Sequence, residues 1–263
     1  MPPKRKAPKR PGGAQGRAAS LIGREFMIQT RYPYLGPSDQ QRGLPQPPLE
    51  LPAGPDATVI DLPAPESLDL GRGDLRDAIE GRVSVRRYAD APLSLDELSY
   101  LLWCTQGVKS VQGGYATMRT VPSAGARHAL ETVLLVNRVE EVEPGLYRFL
   151  PIEHKLVLLR TGPEVAAEVT SACLGQGMVA GSAVTFVWVA VVYRMAWRYG
   201  QRGYRYLHLD AGHVCQNLYL AAEGMGCGVC AIAAFSDEEM SRVLDVDGEN
   251  QFAIYVATVG KKQ

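Results

Sequence analysis

The sequence predicts an α+β domain, a mixed sheet with helices packed on its faces, and three observations lead there. Apolar runs of strand length, Glu131 to Asn137 and Ala183 to Tyr193, alternate with amphipathic helical patterns, and an apolar strand from Phe252 to Val259 closes the chain. No internal repeat interrupts this order. The 263 residues, 46% apolar and 21% charged, have an ordinary globular balance, enough for about one or two domains with a sizeable core.

The elements follow in chain order. Residues 1 to 20 carry Lys4, Arg5, Lys6, Lys9, Arg10 and Arg17 among Pro2, Pro3, Pro8 and Pro11, with too little apolar content to fold. This basic run reads as a disordered solubilising tail, or as a contact for nucleic acid or anionic lipid. Pro33 to Pro65, with Pro45-Gln46-Pro47-Pro48 and Pro52, reads as an extended segment that wraps a surface, because proline there opposes both regular helix and ladder pairing. Leu75 to Ile79 is the end of a helix that stops at Gly81, and Ser94-Leu95-Asp96-Glu97 is a capping box opening a helix whose Leu98, Leu101, Leu102 and Val108 face a core. Gly113-Gly114 opens a loop that leads to Pro122.

Beyond that loop the periodicity changes. Glu131 to Asn137 is a buried strand, and Gly145 to Leu150 with Lys155 to Leu159 forms a hairpin pair. Pro163 opens a helix at its favoured first-turn position. Met178 to Val192 is strongly apolar, and no charge occurs between Glu168 and Arg194. The glycines at 175, 177 and 181 divide this stretch into a short helix and a buried central strand, which fits better than a membrane span. Ala196 to Gly200 reads as a loop, Tyr206 to Met225 as a long helix and Ser236 to Leu244 as a shorter one.

Lysine plus arginine equals aspartate plus glutamate, 28 against 28, so the chain as a whole has no bias toward nucleic acid or membrane. No apolar stretch follows the basic N-terminal run, which argues against a secretory signal and for the cytoplasm. Five cysteines, an odd count, are expected as reduced thiols. Cys227 and Cys230, with Cys215 and His213, have the types of a metal set, but small buried hydrophobes in a strand and turn explain the pair, and no metal is expected. Gly224-Met225-Gly226-Cys227-Gly228 follows a helical pattern, so it caps a helix and is no dinucleotide loop.

Two motifs carry chemistry. In Arg82-Val83-Ser84-Val85-Arg86 an extended backbone points two guanidiniums and a hydroxyl to one side, where they can close on a tetrahedral dianion. The same triplet also suits a plain solvated face. Pro122-Ser123-Ala124-Gly125 offers small side chains and free amides, as a flat heterocycle needs for close approach of the main chain.

These motifs, the capped helix between them, the long helix, the turn Ala231-Ile232-Ala233-Ala234-Phe235 and the end Val259-Gly260-Lys261 resemble, in that order, the nitroreductase family of FMN enzymes. The resemblance covers most of residues 20 to 263. Thr120 to His128, Trp197-Arg198-Tyr199-Gly200 and Leu209 to Leu218 look like the branch with the SagB-type and azoline-forming peptide dehydrogenases. It implies one FMN-binding domain over residues 21–263, a mainly antiparallel sheet flanked by helices, and an intertwined homodimer with flavins at the interface. By this resemblance Arg82, Ser84 and Arg86 hold the FMN phosphate and ribityl end, with Lys261 and its neighbour Lys262 adding charge. Pro122, Ser123, Ala124 and Gly125 line an edge of the isoalloxazine, His128 approaches the cofactor, and the turn Ala233-Ala234 brings an amide toward flavin N5. Some members have Glu-Gly or Gly at that turn, which leaves nicotinamide positioning open.

Where the azoline dehydrogenases have a Lys-Tyr pair proposed to remove a proton, this chain has Arg198-Tyr199. Arginine stays protonated and is a poor base. Tyr199 can still donate or accept a proton, while Arg198 orients an anionic substrate or pairs with a carboxylate. His213, at the start of a long helix, suits packing or an interface. The activity implied is hydride transfer from NAD(P)H through FMN to an electron-poor small-molecule acceptor. The alternatives are a peptide azoline dehydrogenase-like oxidase and a flavin-binding protein without NAD(P)H turnover. No membrane partner is expected, and nucleic acid only through the basic tail.

Overall fold

The computed structural model describes residues 21–70 and 73–263; the predicted tail at 1 to 20 lies outside them. In chain order the helices are α1 Ile22–Gln29, α2 Leu75–Gly81, α3 Leu95–Gln106, α4 Val165–Ala172, α5 Met178–Gly181, α6 Val192–Tyr199, α7 Gly203–Glu223 and α8 Asp237–Leu244. The strands are β1 Val59–Asp61, β2 Val108–Gln112, β3 Ala116–Arg119, β4 Leu130–Val136, β5 Gly145–Leu150, β6 Lys155–Thr161, β7 Val184–Val191, β8 Cys227–Ile232 and β9 Gln251–Lys261.

The continuous apolar runs become the middle of a seven-stranded sheet ordered β1-β6-β5-β4-β7-β9-β8. All of β4 is buried, and β7 is buried up to its last residue, as expected of strands covered on both faces. They pair from Leu130 opposite Ala190 to Val136 opposite Val184. Every described ladder in the sheet is antiparallel. Parallel pairing is confined to isolated bridges, one of which sets Ser84 beside Val229 at the β8 edge.

The strand period of two sorts side chains between two cores. Phe186 and Trp188 of β7 join the cluster beneath α3 and α7, while Val187 and Val189 join the cluster beneath α4 and α8. In α3 the capping box is formed in full by Ser94 and Glu97. Leu98, Leu101 and Leu102 are completely buried, each a contribution of about 1.5–3 kcal/mol.

Four expectations are corrected. Residues 196–200 are not a loop but the end of α6, because Val192, Met195, Ala196 and Tyr199 recur at helical spacing on the face packed against the core and Gly200, at φ +52°, stops the helix. The residues around Gly113-Gly114 form the two-stranded hairpin β2-β3, turned by those glycines at φ +51° and +76°. The helix after Pro163 begins at Val165. The proline-rich segment does run without regular elements from 35 to 58, yet its end pairs as β1, an edge strand placed after Pro55 where no ring blocks the ladder.

Candidate functional site

The Pro122 to Gly125 turn is fixed from below by Asp210, a carboxylate on the buried side of α7. Ser123 Oγ donates to Asp210 Oδ2 at 2.6 Å, the Ala124 N–H donates to Oδ1 at 3.2 Å, and the His128 N–H donates to Ser123 Oγ at 2.9 Å. Burial pushes the Asp210 carboxyl up, and the bonds from Ser123 and Ala124 oppose that shift. The turn holds Gly125, Ala126 and His128 at φ +58°, +51° and +43°. Two of these are not glycine, so the backbone stores strain that the hydrogen bonds must hold.

A second buried network braces the same turn. The Arg194 guanidinium donates to His128 O at 3.1 Å and to Glu131 Oε1 at 2.7 Å, with both side chains almost fully buried. Glu131 also accepts the Leu51 N–H at 3.1 Å, and Arg148 reaches Leu51 O at 2.8 Å, so the proline-rich segment is tied to the same node. Burial, with the charges of Arg119, Arg127 and Arg194, brings the His128 imidazole down to about 3 against a hydrogen bond to the Thr117 backbone. His128 is thus a neutral, buried support of the turn at physiological pH.

Arg198 and Tyr199 close the open side. A Cβ placed on Gly125 would clash with Tyr199 Oη and stand 2.9 Å from Arg198 Nε, so a side chain here would push the pair away from the turn. Arg198 is exposed and stacks 5.6 Å from the Tyr199 ring, which meets Tyr206 edge-on at 4.9 Å. The structure therefore joins Pro122 to Gly125, His128, Arg198 and Tyr199 in one place.

The Arg82 to Arg86 segment sits elsewhere. It runs extended along β8, with the Val85 N–H donating to Val229 O at 2.9 Å. Gly228 makes this approach possible, since a Cβ there would meet the Val85 side chain at 2.6 Å. Tyr219, on the C-terminal half of α7, organises the clamp: its hydroxyl lies 3.0 Å from Ser84 Oγ and accepts the Ala231 N–H at 2.9 Å, and Arg82 stacks 5.3 Å from its ring. Neither Arg82 nor Arg86 has a carboxylate partner among the described residues. Beyond β8, Ala233 and Ala234 are exposed, and Ala233 makes no hydrogen bond among the described residues. Lys261 and Lys262 are already paired, with Glu97 and Glu223. An anion at the clamp would have to share them.

The two groups do not meet within one chain. Asp210 and Tyr219 stand about 13 Å apart along α7 and on opposite faces, at about 1.5 Å and 100° per residue. His213 is exposed on that helix.

Sequence reasoning missed Asp210, Tyr219, Glu131 and Arg194. Two left a signal, a charge in an apolar pattern: Asp210 lies in the buried stripe Leu207, Ala211, Val214, Leu218, and Glu131 in a wholly buried strand. Among the described residues no helix is long and apolar enough to cross a membrane.

Comparison with known proteins identifies the family. The profile of the nitroreductase family matches residues 79–261. The chain is 36% identical over 207 residues to a Methanocaldococcus jannaschii protein assigned as a nitroreductase, covering 79% of this chain and 98% of that one. It is 27% identical to the trifolitoxin-processing protein TfxB of Rhizobium leguminosarum bv. trifolii over 59% of this chain and 44% of TfxB. A solved structure from Anabaena variabilis, also assigned as a nitroreductase, superposes with a TM-score of 0.66 at 29% identity, over 80% of this chain and 42% of the other. The chain thus spans less than half of the last two proteins.

Proposed function

Since this chain belongs to the nitroreductase family, we propose that it is an FMN-dependent oxidoreductase acting on an electron-poor small molecule, with NAD(P)H as reductant. The observation that carries this reading is the clamp: Arg82 and Arg86 flank the Ser84 hydroxyl at the open edge of β8, with no carboxylate among the described residues to neutralise them. Two guanidiniums left without a counter-charge beside a fixed hydroxyl suit a phosphate monoester. The residues present thus fit the cofactor.

FMN, when bound, supplies hydride transfer between the nicotinamide and the acceptor. The chain supplies the rest. Arg82, Ser84 and Arg86 would hold the phosphate, and Lys261 and Lys262 would add charge by sharing Glu97 and Glu223. The free N–H of Ala233 would donate to the ring, and the small turn Pro122 to Gly125 would border it. Tyr199 stands at Gly125 with its hydroxyl able to give a proton to the product. Because clamp and turn lie on opposite faces of α7, one protomer's clamp and its partner's turn would build each site, which calls for a homodimer.

Purified protein is expected to be yellow, to release FMN on denaturation, and to bleach when mixed anaerobically with NADH or NADPH. A colourless protein that takes up no added FMN overturns the reading. Uptake of FMN without bleaching by either nucleotide reduces it to flavin binding. The similarity to TfxB favours one second reading, a peptide azoline dehydrogenase-like oxidase. Arg198 in place of lysine weighs against it, since a guanidinium removes no proton at neutral pH.

A further inference from the structure

Residues Tyr32 to Gln41, which lie outside the stretch matched by the family profile, roof a cavity of about 670 Å³ whose floor is Arg198, Tyr199 and Arg202. We propose that this cavity is the substrate subsite of the oxidoreductase proposed above, and that Arg198 and Arg202 there bind the carboxylate of a small planar aromatic acceptor. The inference rests on that reading for the word substrate, and on the cavity alone for the anion.

The charge is the first ground. Two guanidiniums face the cavity, and among the described residues no acidic one lines it. Asp39, the acid on the roof segment, is paired instead with Arg42 and hydrogen-bonded to Tyr193. Arg198 has no carboxylate partner among the described residues and makes only its stack on Tyr199. Arg202 is held in place by Nε donating to Tyr206 Oη at 2.7 Å, Nη1 donating to Thr30 O at 2.8 Å, and the Tyr32 ring 4.4 Å away. The Tyr32 hydroxyl also comes within reach of this guanidinium, which has no carboxylate partner among the described residues. One fixed and one free guanidinium form a receptor for a planar carboxylate, which arginine matches with paired N–H donors.

The second ground is shape. The roof is fastened at both ends: the Gln40 N–H donates to Trp197 O at 2.8 Å, Trp197 Nε1 donates to Leu44 O at 3.0 Å, and Arg205 Nε donates to Thr30 Oγ1 at 2.7 Å. The volume is that of a small-molecule site. Tyr32 and Tyr199 supply ring faces, and Tyr199 also touches Gly125 of the turn. An aromatic acid anchored on the arginines would therefore lie with its far end toward that turn.

The test is equilibrium binding to the protein as purified, by calorimetry, with 4-nitrobenzoate and its neutral analogue 4-nitrobenzamide. The benzoate is expected to bind roughly ten- to hundredfold more tightly, the scale of a charge-assisted hydrogen-bonded contact. Arg198→Gln and Arg202→Gln are each expected to bring the ratio of the two affinities toward one. Equal affinities in the wild type, or a ratio unchanged in Arg198→Gln, overturn the proposal. Should a variant unfold, the wild type still decides: added salt must weaken the benzoate and leave the amide, and equal salt response overturns the subsite. Binding needs no turnover, so the two readings fail separately. An anion preference in protein that NAD(P)H does not bleach removes the reductase and keeps the subsite, and bleaching without preference does the reverse.

Discussion

At the N-terminal half of α7 a buried carboxylate, Asp210, holds a strained turn, and at the C-terminal half a half-buried phenol, Tyr219, holds an exposed clamp. The first region is complete in itself. Its central pair is buried, Arg194 on Glu131, with the His128 imidazole kept neutral beside it. The second region is unfinished, with Arg82 and Arg86 left without a carboxylate partner among the described residues. A surface that must bend backbone into the left-handed region needs internal bonds to hold it. A surface that must receive an anion keeps its cations free, because a buried partner would compete with the ligand.

The largest expected effect breaks the first region. Glu131→Ala leaves the Arg194 guanidinium buried without its carboxylate and removes the acceptor of the Leu51 N–H. It is expected to cost about 3–5 kcal/mol of stability, read by urea denaturation. A cost below about 1 kcal/mol, the scale of an exposed pair, would show that the buried node carries no more weight than the clamp.

Next comes the complementary break. Arg82→Ala with Arg86→Ala is expected to lower FMN affinity by roughly a hundredfold while leaving stability within about 1 kcal/mol, because Arg86 is exposed and Arg82 loses only its stack on Tyr219. Flavin fluorescence titration reads the first and denaturation the second. Unchanged affinity would remove the clamp from the site.

What was legible in the sequence follows the same division. The clamp and the turn announce themselves because their chemistry is local, a triplet at strand spacing and four small residues in a row. The capping box at Ser94 and the central strands are local in the same sense. The node of Glu131, Arg194 and Leu51 is not, since its partners lie on β4, α6 and the proline-rich segment and only the folded chain brings them together. Helix α6 hides in the sequence, its start reading as the end of a strand and residues 196–200 as a loop, because aromatic and charged residues obscure its buried stripe. The separation of clamp from turn could not be seen either, for it depends on which faces of α7 Asp210 and Tyr219 occupy.

A smaller effect tests the neutrality of His128. Its folded-state value, about 3, lies below the ordinary 6.5, so between those values the unfolded chain binds the extra proton. Stability is therefore full above about pH 6.5 and falls on acidification by up to about 1.4 kcal/mol per pH unit. Asparagine tolerates the left-handed backbone that this position requires. His128→Asn is thus expected to flatten this part of the stability profile measured from pH 4 to 7. An unchanged slope would assign the acid sensitivity to other groups.

The finest comparison deletes one hydroxyl from each region. Ser123→Ala removes a group that donates to the carboxylate of the buried Asp210 and accepts the N–H of the buried His128. Tyr219→Phe removes a group that accepts the Ala231 N–H and touches Ser84 at an edge open to water. The first leaves two buried polar groups short of a partner and is expected to cost about 1–3 kcal/mol, the second no more than about 1 kcal/mol because water can replace it. The second should nevertheless weaken FMN binding a few-fold, since Ser84 and Arg82 lose the group that positions them. If the two substitutions cost the same in stability and neither alters FMN binding, then α7 holds both regions alike and the clamp is not kept open for a ligand.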